Sequence, residues 1–213
     1  MGWEVAANMS RKNVPPAPPN EALPEGEPNR YLAKFKSSLV KRWSSTRMET
    51  LYEIFDLVAF LWALERNDEA LAIAASVAAS VPAPPRLGDG FNYNIWCPAT
   101  CSHALLMHLA TGTWRARAEA SRAELLRDAG IARSNPGFIA ETIAEARRLA
   151  AAPAGQRTVK WECQDLTRSL GSLLLYSELA KAGDSLFKGH SEEVAALIPP
   201  LLSRLRTLLD SAK

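Results

Sequence analysis

The sequence predicts an all-α fold, and three of its features support this class. Apolar residues recur at intervals of three and four over most of the chain, and glycine and proline separate these stretches. No stretch alternates polar with apolar residues for long enough to form a dependable strand. We expect about eight helices packed as antiparallel helical hairpins in a repeat-like arrangement, without an internal repeat of fixed period.

The first 29 residues differ from the remainder of the chain. They contain six prolines and almost no apolar periodicity, a composition that predicts an extended segment. The prediction is therefore a Pro-rich tail at residues 1–29 followed by a single helical domain at residues 30–213.

Apolar stripes and a capping motif mark the first two helices. Residues from Tyr31 to Trp43 place their apolar side chains on one helical face. Thr46 and Glu49 have the spacing of a capping box, which satisfies two backbone amides at a helix start, so we predict the second helix at about 47–65. Its apolar residues cover most of its circumference, which is typical of a central helix.

A third helix is predicted from Asn67 to Val81. Asp68 and Glu69 lie in its first turn, where the positive end of the helix dipole favours carboxylates. About three residues separate it from the second helix, so the two form an antiparallel hairpin. Proline and glycine bound the later helices, which we predict at about 98–111, 115–129, 136–151, 159–182 and 192–210.

Composition restricts the class of partner. The 25 basic and 23 acidic residues leave a formal net charge of +2, so we do not expect nucleic acid as a partner. No run approaches the ~18 apolar residues that span a bilayer, and the start lacks the pattern of a signal peptide. Three cysteines are an odd number, which favours a reducing compartment over a disulfide framework. We expect a cytoplasmic protein without a membrane partner.

One group of residues has the chemistry of metal ligands: Cys97, Cys101, His103 and His108. On one straight helix His108 lies about 10 Å above Cys101, so these side chains do not reach a single zinc ion. Buried thiols with a hydrogen-bonded histidine are the expected structure. Cys97 also precedes a helix start, where the dipole lowers a thiol pKa. We predict no catalytic residue, metal or cofactor, and a cysteine- or metal-dependent enzyme built on Cys97 and His108 is the alternative from another class.

The second helix carries acidic residues on one side. Glu49, Glu53 and Asp56 share this side, with Phe60 above them. Carboxylates at this spacing usually form a solvated or salt-bridged face, and acid/base catalysis is a further alternative. The acidic ridge with its aromatic end is suited to a basic protein, so we predict these four residues as partner-binding residues.

Aromatic residues also collect in the loop before the fourth helix. Phe91, Tyr93 and Trp96 follow two glycines, and rings of this kind dominate many binding surfaces. The alternative is that they fill a groove between helical hairpins, since long loops in compact domains often pack in this way. We include all three among the predicted partner-binding residues.

The hairpin resembles two known groups of proteins. Residues 51–57 read Leu-Tyr-Glu-Ile-Phe-Asp-Leu, and the acidic turn leads into Glu-Ala-Leu at 69–71, which resembles a tetratricopeptide-type hairpin. It is also similar to the hairpin of uncharacterised bacterial helical proteins encoded as immunity proteins beside polymorphic toxins, in which an Asn-x-x-Ile-Trp-like loop follows. That loop here reads Phe-Asn-Tyr-Asn-Ile-Trp at 91–96.

The resemblance covers residues 48–109, and it implies a function. A protein of this kind inhibits a cognate toxin by occluding its active site or substrate entrance and has no catalytic residues of its own. The alternative of the same class is a helical-repeat adaptor or effector chaperone, which binds a protein client without blocking any chemistry.

Overall fold

The computed structural model describes residues 27–42, 48–80, 98–119, 121–122, 137–153 and 158–212. This part of the chain contains no strand, so the predicted all-α class is confirmed. A 3-10 turn lies at Gly112–Trp114. The helices are α1 (Arg30–Arg42), α2 (Met48–Ala63), α3 (Asn67–Ser80), α4 (Pro98–Leu109), α5 (115–119 and 121–122), α6 (Gly137–Ala151), α7 (Val159–Lys181), α8 (Ser185–Lys188) and α9 (Ser191–Ser211).

Two helices, α2 and α7, lie at the centre of the domain. Helix α2 packs against α1, α3, α4, α7 and α9, and α7 packs against α2, α4, α6, α8 and α9. Every residue from Glu53 to Ala63 is buried, which confirms the prediction of a central helix. In α7 the buried residues include all positions from Ser169 to Ala180, because other helices surround its C-terminal half.

The connection between α2 and α3 is the predicted hairpin. Glu65 adopts a left-handed conformation with φ of 61°, and the Arg66 amide donates to the Leu61 carbonyl oxygen at 2.9 Å. This arrangement ends a helix and satisfies its last carbonyl groups. Arg206 of α9 donates from Nε to the Ala63 carbonyl oxygen at 2.6 Å, so α9 also fixes the end of α2.

A second turn of the same kind joins α7 to α8. Gly183 has φ of 90°, and the Asp184 amide donates to the Leu179 carbonyl oxygen at 3.2 Å. The Asp184 carboxylate then caps the single turn of α8, a helix that the sequence did not predict. Phe187 on α8 is buried, and its ring stacks on the ring of Tyr176 with centroids 5.2 Å apart.

Residues 27–29 of the predicted tail contact the helical domain. Asn29 accepts a hydrogen bond from the Leu32 amide at 2.9 Å, which caps α1, and donates to the Leu209 carbonyl oxygen at 3.1 Å. Glu27 forms ion pairs with Lys36 at 3.0 Å and Arg66 at 2.6 Å. The start of α1 is therefore fixed to the turn between α2 and α3 and to α9. None of the described helices is long and apolar enough to cross a bilayer.

Candidate functional site

The predicted acidic ridge is not an exposed surface at three of its four positions. Glu53, Asp56 and Phe60 have exposed fractions of 8%, 2% and 1%, because helices surround α2 along this stretch. The prediction that these residues form a surface is therefore wrong. The side chain of Glu49 lies outside the described residues.

Asp56 has a specific partner on the other central helix. The Thr167 hydroxyl of α7 donates to Oδ1 of Asp56, and both side chains are buried. Burial raises the pKa of the Asp56 carboxyl to about 7, although the Thr167 hydrogen bond and the Arg168 guanidinium act in the opposite direction. Near neutral pH, Asp56 therefore exists in both its neutral and its ionised form.

Tyr31 of α1 and Cys163 of α7 lie beside Asp56 and share a hydrogen bond. Burial is the main cause that raises the pKa of the Cys163 thiol to about 12, and it also raises the pKa of Tyr31. A thiol in this environment is almost entirely protonated at neutral pH and is a poor nucleophile. Cys163 is thus a structural residue here.

Phe60 packs against aromatic residues of α1. Its ring centroid lies 4.9 Å from that of Phe35 and 5.9 Å from that of Tyr31, both in edge-to-face geometry, an arrangement that aromatic pairs favour. The ring is therefore covered by α1. It contributes to the contact of α1 with α2, whereas the sequence had suggested contact with a partner.

The cysteines and histidines of α4 do not converge. Cys101 and His103 are buried, and His108 at the other end of the helix bonds through Nδ1 to Glu178 of α7 at 3.0 Å. Lys181 donates to the same carboxylate oxygen at 2.6 Å, and Trp62 contacts the His108 ring edge to face at 5.7 Å between centroids. The expected hydrogen-bonded histidine is confirmed. The described residues contain no group of three metal-ligating side chains.

Four predicted positions lie outside the described residues. They are Phe91, Tyr93 and Trp96 of the aromatic loop, together with Cys97. Their assignment to partner binding or, for Cys97, to an enzyme site stays a prediction.

Trp161 is the largest exposed apolar side chain in the described part of the chain. Its exposed fraction is 53%, and Val40 at 37% is the next exposed large apolar residue. Trp161 lies in the first turn of α7, about 140° around the helix from the buried Leu166. Trp161 was not among the predicted site residues, although its position away from the helix face of Leu166 was a signal in the sequence that could have identified it.

Charged residues lie on the same stretch of α7. We define the Trp161 surface as Lys160, Trp161, Gln164, Asp165 and Arg168, which share the outward side of the first turns of α7. Lys160 and Arg168 are exposed, whereas Asp165 is half-buried and lies within range of the Arg148 guanidinium. The exposed charge next to the indole is therefore basic.

Comparison of the chain with protein-family models, curated proteins and solved structures finds no match. The fold and the Trp161 surface define a helical protein with an exposed aromatic side chain beside basic groups.

Proposed function

We propose that this chain is a protein-binding inhibitor of the immunity type, which neutralises a cognate bacterial toxin by covering its active site or substrate entrance. The exposed indole of Trp161 is the observation that carries the proposal. Leaving a large aromatic side chain half in water is unfavourable, and tryptophan is among the residues most enriched where binding energy concentrates. The resemblance of residues 48–109 to immunity proteins supports a toxin as the partner.

The interior supports binding over catalysis. Asp56, His108 and Cys163 have the chemistry that an enzyme needs, and each is engaged with another side chain of the domain. These contacts join α1, α2, α4 and α7, so their contribution is to the packing of the scaffold. An inhibitor that acts by steric occlusion requires a rigid scaffold and a surface, and no reacting group.

The charge of the Trp161 surface indicates the chemistry of the partner. Lys160 and Arg168 lie on either side of the indole along α7 and are exposed. Opposite charges around an apolar centre increase the association rate and disfavour incorrect partners. We therefore expect the toxin to present acidic side chains around an apolar recess, in contrast to the basic partner that the acidic ridge had suggested.

Coexpression with the toxin encoded by a neighbouring gene tests this proposal. The wild-type chain should co-purify with the toxin domain in a stoichiometric complex and restore growth of toxin-expressing cells. Trp161→Ala should weaken the complex at least about thirtyfold, as expected for a side chain worth ~2 kcal/mol at an interface. Val40→Ala, which truncates the other large apolar side chain that is exposed among the described residues, is the matched control and should bind as the wild type does.

Three outcomes separate the candidate functions. A wild-type chain that neither binds nor protects contradicts the proposal. A chain that binds the toxin domain and leaves its activity intact is an adaptor or chaperone. Protection that is lost in Cys97→Ala or His108→Ala while the complex still forms indicates the enzyme alternative.

A further inference from the structure

A cluster of polar side chains lies where α1, α2 and α7 meet. We define the Asp56 cluster as Tyr31 of α1, Glu53 and Asp56 of α2, and Cys163 and Thr167 of α7. All of these residues except Tyr31 are buried, and Tyr31 is half-buried. The residues next to them are the aromatic rings of Phe35 and Phe60 and the apolar side chains of α2. The cluster is a polar centre inside an otherwise apolar contact.

The groups that act on Asp56 come from each of these helices. Tyr31 faces Asp56 from α1, and a negative charge on Asp56 disfavours ionisation of Tyr31. Glu53 lies on the same helix as Asp56, and its negative charge disfavours ionisation of Asp56. On α7, a negative charge on Asp56 also disfavours ionisation of the Cys163 thiol. The positive charges of Lys160 and Arg168, on the same helix, favour ionisation of Asp56. The two cations lie on the exposed side of α7, so they attract the carboxylate from the rim of the cluster.

We propose that the Asp56 cluster is a proton-dependent lock, which holds α1 closed over α2 and α7 while Asp56 is neutral and loosens this contact when Asp56 loses its proton. Among the described residues, the Thr167 hydroxyl donates a hydrogen bond to Asp56, and an ionised carboxylate accepts more than one, so we expect water to supply the others. Asp56 is only 2% exposed, so hydrating its carboxylate requires that one helix at the cluster moves.

Packing identifies α1 as the helix that moves. Helices α2 and α7 are each held by contacts with several other helices, whereas α1 packs mainly against α2 and α9. The Glu27 ion pairs with Lys36 and Arg66 keep α1 attached to the turn between α2 and α3. The opening is therefore a local displacement at Tyr31, Phe35 and the covered Cys163, and the domain does not unfold.

The direction of the pH dependence follows from the two states of Asp56. In the open state the carboxyl is hydrated and its pKa is near the ordinary aspartate value of 3.8, whereas in the closed state its pKa is about 7. The closed state binds more protons between these values, so acid favours it. Opening should increase from about pH 4 to about pH 7 and then stay constant.

The labelling rate of Cys163 measures the opening, because this thiol is fully buried. In the variant Cys97→Ser/Cys101→Ala, a pyridyl disulfide would label Cys163 at pH 5 and at pH 8. Dividing each rate by that of the same protein carrying Asp56→Asn removes the intrinsic pH dependence of the thiol. This ratio of parent to Asp56→Asn labelling rates should be at least about tenfold higher at pH 8 than at pH 5. Asp68→Asn, at an exposed carboxylate of α3, should behave as the parent does.

A ratio that stays constant between pH 5 and pH 8 overturns the proposal. If the Cys97→Ser/Cys101→Ala background does not fold, hydrogen exchange of residues 30–42 in the otherwise wild-type chain gives the same comparison. Faster exchange in the wild type than in Asp56→Asn at pH 8, after correction for intrinsic rates, is the expected result. Equal protection of α1 in the two proteins at pH 8 contradicts the lock.

Discussion

His108 Nδ1 lies 3.0 Å from Oε1 of Glu178, and this contact joins the end of α4 to the buried side of α7. Lys181 donates to the same oxygen at 2.6 Å. Glu178 is almost fully buried, whereas Lys181 is exposed and His108 is partly exposed. A carboxylate that would be unfavourable in the interior is thus stabilised by polar groups that reach it from the surface.

Glu178→Gln should destabilise the domain at pH 7 by about 2 kcal/mol, as expected for loss of a buried charge-assisted hydrogen bond. Burial raises the pKa of Glu178, but hydrogen bonds from His108 and Lys181 outweigh it and lower the pKa below 4.5. Its contribution is therefore present above pH 4.5 and lost as pH falls through the lower folded-state value. Urea unfolding at pH 7 and at pH 3 measures both effects, and Glu119→Gln, at an exposed residue of α5, is the control. An equal loss of stability at the two pH values contradicts this account.

Thr167→Val should cost more stability at pH 8 than at pH 5. The Thr167 hydroxyl donates to Oδ1 of Asp56, and the bond favours the charged carboxylate. We expect a loss of about 1 kcal/mol at pH 5, where Asp56 is mostly neutral, and about 2 kcal/mol at pH 8. Thr167→Ser keeps the hydroxyl and should retain most of the pH 8 stability. A valine variant with the same loss at both pH values would show that methyl packing, and not the hydrogen bond, is what matters at this position.

Helix positions were predictable because local residues determine them. Pro98 is the first residue of α4, Gly183 lies two residues after the end of α7, and the predicted starts of α3, α4 and α7 are the observed starts. The central position of α2 followed from apolar residues around its whole circumference. Helix α8 was missed because a single turn is too short to show periodicity.

The interior polar groups were not predictable from the same pattern. Helical periodicity assigns carboxylates to the solvent side, so Asp56 appeared to belong to a surface ridge. It is buried by the helices that surround α2, its partner Thr167 is 111 residues away along the chain, and no local signal reports such a pair. Trp161 shows the opposite error. It is apolar but lies away from the buried face of α7, and it was not predicted to be on the surface.

Glu27→Ala should destabilise the domain by about 3 kcal/mol, the usual effect of removing one member of a buried ion pair. Lys36 is buried, and its Nζ lies 3.0 Å from Oε2 of Glu27. In Glu27→Ala the ammonium group of Lys36 stays buried and loses the Glu27 carboxylate, whereas Arg66 keeps its ion pair with Glu69.

The double variant Glu27→Leu/Lys36→Met should be more stable than Glu27→Ala, because apolar side chains replace both charges. Chemical unfolding of the three proteins measures the difference. A double variant that is less stable than Glu27→Ala contradicts the assignment of the loss to a buried charge.

Two glycines near the start of α9 should respond in opposite directions to alanine. Gly183 has φ of 90° and Gly189 has φ of −63°, and a Cβ atom added at either position meets no atom within 4 Å. Space is therefore equal at the two sites, and backbone conformation alone distinguishes them. Gly183→Ala should cost about 1–2 kcal/mol, because an L-residue is strained at positive φ. Gly189→Ala should stabilise by about 0.5 kcal/mol through the lower entropy of the unfolded chain. Thermal unfolding of both variants measures the contrast, and equal effects would show that the turn after α7 does not require glycine.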